Sequence, residues 1–134
     1  MADCIFCSIV SGDAKAWRVY EDDAAVAVLD RGQATRGHSL GISRRHASDL
    51  WGLTASEASE VMRAVHAVAG LLRERLGAPG LNVARSNGEE AWQTVFHYHV
   101  HLIPRYGDDK LVPPWRPTSP TSAELDATLA RISA

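Results

Sequence analysis

The stretch that most constrains this chain runs from Gln93 to Arg105, where His97, His99 and His101 alternate with Tyr98, Val100 and Leu102. A period of two predicts a strand. Val95, His97, His99, His101 and Ile103 then share one face, and Phe96, Tyr98, Val100 and Leu102 share the other, which reads as core. Each imidazole titrates near neutrality and needs a partner when partly buried, so three abreast are costly unless their chemistry is used. Residues four apart on a strand have Cα atoms about 13 Å from one another, so all three rings do not easily share one ion. A nucleophile with a helper on each side fits better. His99, held as a neutral tautomer by a hydrogen bond from one ring nitrogen, would attack with the other, while its neighbours orient substrate and donate to developing negative charge.

A chain of 134 residues that is 46% hydrophobic is expected to form one domain with a substantial core. Its net charge is −2, from 14 basic and 16 acidic residues that are interspersed, which gives no electrostatic footprint for nucleic acid or an anionic membrane. Met1-Ala2-Asp3-Cys4 has neither a basic n-region nor an apolar h-region, so the expectation is a soluble cytoplasmic protein. Both cysteines lie in Cys4-Ile5-Phe6-Cys7, a spacing that suggests metal or redox chemistry rather than a disulfide framework. No strand precedes the pair as a thioredoxin-like unit requires, so half of a tetrahedral zinc site, completed by histidines elsewhere, fits better.

The remaining elements are read in order. Trp17–Glu21 and Ala24–Leu29 form a hairpin turning at Asp22-Asp23. Residues 31–38 form a loop, Ser39–Ser43 a third strand, and Arg44-Arg45 a solvated surface. Thr54-Ala55-Ser56-Glu57 is a capping box, and the helix it opens runs to about Leu76, where Gly77 and Pro79 end it. Val61, Val65, Val68, Leu72 and Leu76 form its apolar stripe, with His66 off that stripe and on the surface. Leu81–Arg85 is a fourth strand, followed by the loop from Ser86 to Trp92. A proline-rich tail follows Gly107, and a second capping box, Thr121-Ser122-Ala123-Glu124, opens a short final helix.

His97-Tyr98-His99-Val100-His101-Leu102-Ile103, with Gln93-Thr94-Val95 before it, resembles the signature of the histidine triad (HIT) family of nucleotide hydrolases and transferases, in its bacterial Hint-like branch. The resemblance runs from about Cys4 to Tyr106. It implies an α+β, HIT-like fold: an antiparallel sheet of about five strands, one long helix and a short C-terminal helix. Residues 1–106 would form the HIT domain, with 107–134 a variable tail packed on the same domain. It implies two-step displacement at the α-phosphorus of a purine nucleotide, with His99 as nucleophile, His97 and His101 as its helpers, and His38 of Gly37-His38 supporting the triad. Ile5, Phe6 and Ile9, which also read as core, would wall the base site, and Asp30 would accept hydrogen bonds from the ribose hydroxyls. Ser86, Gln93, Thr94 and Val95 would complete the nucleotide site, with Gln93 orienting the leaving group and the Thr94 hydroxyl stabilising phosphoryl charge. Structural Zn2+ would be held by Cys4, Cys7, His46 and His97.

Hydrolysis of nucleoside phosphoramidates is the activity first implied. Hydrolysis of dinucleoside polyphosphates or nucleotidyl transfer is the alternative, and a nucleotide-binding protein with vestigial activity is a reading of a different class. The partners implied are a small purine nucleotide and a second copy of the chain in a homodimer, without nucleic acid or membrane. Several positions depart from the family pattern: Arg31 stands where an apolar residue is usual and Gln33 where a proline is, Gly41 and Ser43 differ from the usual strand ahead of His46, Ser86 replaces an asparagine, and Trp92 replaces a glycine where the backbone passes close to phosphate.

Overall fold

The computed structural model describes residues 3–133, so residues 1–2 and 134 of the expected ranges lie outside it. Helix α1 (Ile5–Ser11) is followed by strands β1 (Arg18–Glu21), β2 (Ala25–Leu29) and β3 (Ser39–Ser43), helix α2 (Ala55–Leu76), strands β4 (Gly80–Ala84) and β5 (His99–Arg105), and helix α3 (Ser122–Ser133). The five strands form one antiparallel sheet in the order β1-β2-β3-β5-β4, the α+β architecture expected.

Helix α2 starts as its capping box dictates: Thr54 Oγ1 accepts from Glu57 N–H at 3.1 Å, and Glu57 Oε1 accepts from Thr54 N–H at 2.8 Å. It stops at Gly77, which is left-handed at φ 66°. Its buried stripe, Val61, Ala64, Val65, Val68 and Leu72, lies on one sheet face against Ala27, Tyr98, Val100 and Leu102. Gly41 permits this approach, since a Cβ there would stand 3.1 Å from Val65 Cγ2. The opposite face is also covered: Phe6 and Ile9 of α1 pack on Val26, Val28, Leu40 and Ile42. Strands β2 and β3 are therefore buried on both faces, which explains why their sequences are almost uninterruptedly apolar or small.

Two expectations are corrected. The catalytic strand begins at His99 rather than Gln93. Tyr98 donates its N–H to Ala47 O and accepts from Ser43 N–H, so the chain ahead of β5 follows the loop after β3 instead of the sheet. Phe96 is consequently half-exposed rather than core. Arg45 lies on the surface as expected and pairs there with Glu57, while the half-buried Arg44 bonds Asp22 O at 2.6 Å and Glu21 at 3.2 Å. Every tail residue from Lys110 to Ser133 is exposed, and α3 buries none of its described side chains, while Leu111 O accepts from the Arg105 guanidinium at 3.2 Å.

Candidate active site

The hydrogen bonds of the four clustered histidines settle their tautomers. A carbonyl only accepts, so a ring nitrogen facing one must carry the proton. His99 Nδ1 lies 2.7 Å from His97 O, which puts the proton on Nδ1 and the lone pair on Nε2. His97 Nε2 lies 2.7 Å from Ser43 O, which leaves Nδ1 as its free lone pair. His38 Nδ1 accepts from Ala34 N–H at 3.1 Å, so its proton sits on Nε2 and is donated to His101 Nδ1 at 2.9 Å. His101 then presents Nε2–H as a donor. Burial is the first cause that lowers the pKa of each of these rings, and it brings His99 down to about 4. His99 is thus a neutral imidazole near pH 7, the form that attacks an electrophile.

His99 and His101 line a cavity of about 290 Å³. Ile5, Phe6 and Ile9 of α1 line it, with Leu40, Asp30, Arg31, Thr94 and Val95. Phe6 meets the His99 ring edge-on at 4.9 Å, so the apolar wall also buttresses that ring. Asp30 follows β2; its Oδ1 accepts from Gly32 N–H at 2.8 Å and its Oδ2 lies 3.5 Å from His38 Nε2. The loop that carries His38 is closed by Gln33, whose Oε1 accepts from Gly37 N–H and whose Nε2 donates to His38 O, each at 2.8 Å.

Two expected residues lie elsewhere. Ser86 lines a separate groove rather than this cavity. Gln93 is buried, with Oε1 accepting from Gly88 N–H at 2.7 Å and Nε2 donating to Ser48 O at 2.5 Å and Val95 O at 3.1 Å. Its amide holds the loop before β5. Residues not singled out in the sequence also contribute. Trp17 and Lys15 stand on the cavity wall, and Arg85 donates to His99 O at 3.1 Å while its guanidinium lies 4.6 Å over the Tyr98 ring. A lone arginine at a strand end carries no spacing signal, so only the fold reveals it.

Cys4, Cys7, His46 and His97 converge behind the cavity. Cys4 Sγ to His97 Nδ1 and Cys7 Sγ to His46 Nδ1 are each 3.3 Å, Cys7 Sγ to His97 Nδ1 is 3.5 Å, and His46 Nδ1 to His97 Nδ1 is 3.1 Å. Zinc bonds of about 2.0–2.3 Å to nitrogen and sulfur give tetrahedral edges of about 3.3–3.7 Å, close to these separations. The His97 tautomer aims a lone pair into the cluster, with Ser43 O fixing the ring from behind. Helix α1 places both sulfurs on one side, because Cys4 is its N-cap and accepts from Cys7 N–H. These four residues fit a metal ion. Asp30, His38 and His101 also converge, but metal on His38 Nε2 would move its proton to Nδ1, against Ala34 N–H.

Residues 11–108 match the family model for the HIT domain. Protein hit of Bacillus subtilis is 44% identical over 105 residues, which are 78% of this chain and 72% of that protein. Adenylylsulfatase HINT3 of Arabidopsis thaliana is 33% identical over 109 residues, 81% of this chain and 55% of that protein. Among solved structures, a zinc-bound histidine triad family protein from Mycobacterium smegmatis superposes with a TM-score of 0.79 at 39% identity, covering 98% of this chain and 96% of that one. With His99 and His101 at one cavity, His97 in the cluster behind it, and its sheet and helices in the same arrangement, the chain belongs to the HIT family.

Proposed function

We propose that the protein is a purine nucleotide hydrolase that cleaves nucleoside phosphoramidates through a nucleotidyl-histidine intermediate. The observation that carries this reading is the tautomer of His99: Nδ1–H is committed to His97 O, so the Nε2 lone pair is free beside the cavity. In the first step Nε2 bonds to the α-phosphorus as the phosphorus–amine bond breaks, and the amine leaves with a proton from solvent. In the second, water adds to phosphorus and the phosphorus–Nε2 bond breaks, which releases the nucleoside monophosphate and restores neutral His99. His101 Nε2–H and the Thr94 hydroxyl donate to the non-bridging oxygens in both steps. Asp30 receives the ribose hydroxyls, and the base lies between Phe6, Ile9 and Leu40. That HINT3 is named an adenylylsulfatase supports the class, since sulfate leaving an adenylyl sulfate also departs from an α-phosphorus.

The Trp92 substitution does not speak for vestigial activity. Its backbone keeps the left-handed conformation a glycine would take there, and its ring turns outward, 66% exposed. Zn2+ held by Cys4, Cys7, His46 and His97 would be structural, since four protein ligands leave no open position. The reading also includes a cytoplasmic setting, where paired thiols stay reduced, and a homodimer.

The test is release of adenosine monophosphate from an adenosine phosphoramidate, with His99→Ala beside the wild type and nucleotide binding measured on both. Expected is loss of turnover in the variant by at least roughly 10³-fold with binding retained. A wild type that binds but turns over neither this substrate nor a dinucleoside polyphosphate would be a binding protein instead.

A further inference from the structure

Of the positions that depart from the family pattern, Arg31 alone lines the cavity of His99 and His101. A second exposed cation, Lys15, stands in the same lining. Leu29 N–H donates to Trp17 O at 2.9 Å, and that antiparallel register, carried two residues past the strands, sets Lys15 opposite Arg31. Neither cation enters an ion pair among the described residues. Asp30, the one carboxylate of the lining, faces Gly32 N–H and His38 instead. The Lys15 ammonium lies 5.7 Å over the Trp17 ring, which holds it at the wall without neutralising it. Two cations placed together with no acid between them suit a ligand that brings the electron-rich atoms.

The strand order decides which part of a nucleotide meets them. Across the sheet come His99 and His101 on β5, Leu40 on β3, Asp30 at the end of β2, and Lys15 and Trp17 at the start of β1. A nucleotide with phosphorus at His99 and ribose at Asp30 therefore extends its base towards Lys15 and Arg31. In a purine, the edge that arrives there carries N7 and the substituent on C6. Guanine offers two acceptors on this edge, O6 and N7, whereas adenine offers N7 beside an amino donor. Guanidinium and ammonium groups only donate, so they pair with the first edge and oppose the amino group of the second.

Resting on the hydrolase reading above, we infer that Arg31 and Lys15 make the base site selective for 6-oxopurines, guanine or hypoxanthine, over adenine. The apolar walls from Phe6, Ile9 and Leu40 grip the faces of any purine, so the choice between purines falls to the two side chains at its edge. An apolar residue at position 31 has no donor for O6, which makes this selectivity a property of this chain.

The test compares the 5′-monophosphate propylamides of guanosine, inosine and adenosine by kcat/KM on each protein. The wild type is expected to favour guanosine over adenosine by about tenfold to a hundredfold, the discrimination of one bidentate base contact. Inosine, which keeps O6 and lacks the 2-amino group, should rank with guanosine. In Arg31→Ile the guanosine-to-adenosine ratio falls towards one, and in Lys15→Ala it falls in part. Dissociation constants of guanosine and adenosine monophosphate, on the wild type and on His99→Ala, give the same preference without turnover. Equal kcat/KM for the two nucleosides, a preference for adenosine, or a ratio that both variants retain overturns the selectivity and leaves the hydrolase reading intact. Inosine ranking with adenosine overturns it as well, because the 2-amino group would then be what is read. Absence of turnover of all three amides overturns the hydrolase reading, and the ratio of dissociation constants then decides the selectivity alone.

Discussion

Gly37 shows how one residue ties the loop to the core. At φ 93°, a Cβ on it would press into Leu76 Cδ1 and stand 3.3 Å from Pro104 Cγ. Gly37→Ala therefore adds backbone strain to overpacking, and a loss of about 1–3 kcal/mol in urea denaturation is expected. A change below about 0.5 kcal/mol would show that helix and loop do not meet so closely. Gln93 carries a different prediction. With both ends of its buried amide bonded to backbone, Gln93→Ala leaves Gly88 N–H and Ser48 O short of a partner. A stability loss of about 1–3 kcal/mol should accompany any loss of rate. A variant that is slow but fully stable would return Gln93 to the leaving-group role implied by resemblance.

At the scale of elements, α1 is the piece least able to stand alone. Seven residues are too few for an isolated helix in water. Its Phe6 and Ile9 are buried against the sheet, and its Cys4 and Cys7 join His46, after β3, to His97, ahead of β5. A metal ion there would tie α1 to the segment after β3 and to the segment ahead of β5. Adding zinc at a thousandfold excess over its dissociation constant should stabilise the stripped protein by about 4 kcal/mol, read as a rise in Tm. Cys7→Ser should abolish most of that rise, while unchanged Tm with and without zinc would mean that the cluster is two thiols and two imidazoles only. Helix α2 needs no such aid: its capping box, its stripe and Gly77 agree on the same ends.

For the whole molecule, the buried histidines make stability depend on pH. Burial lowers the pKa of His38 and His101 below the ordinary 6.5, with Asp30 opposing it in both. The unfolded chain thus binds more protons than the folded one below about pH 6.5, so stability is present above that value and declines as the pH falls. The urea midpoint should fall between pH 7.5 and pH 5, and a flat profile would mean that these rings are solvated. No helix among the described residues is long and apolar enough to cross a membrane. Helix α3 nevertheless exposes Leu125, Leu129 and Ile132, a stripe at helical spacing, and β4 is an open sheet edge. The proposed homodimer would cover such surfaces, and sedimentation should find twice 14.5 kDa. Leu129→Asp should shift that mass towards one chain.

Local signals carried much of this. The capping boxes and the helix stripe depend on neighbours in sequence and appear where their spacing places them, while the period of the histidine strand holds only from His99 onward. The four metal-site residues and the gathering of His38, His99 and His101 agree with the family resemblance, because the same folding path recurs with the same motif. What depended on packing was not legible. The bend before β5 arises from bonds to Ala47 and Ser43, some fifty residues away in sequence. The inward turn of the Gln93 amide, the place of Arg85 behind His99 and the groove between Trp92 and Trp115 likewise join segments that no periodicity links. Periodicity reports which face a residue occupies, whereas the partners it meets there are set by how distant segments cross.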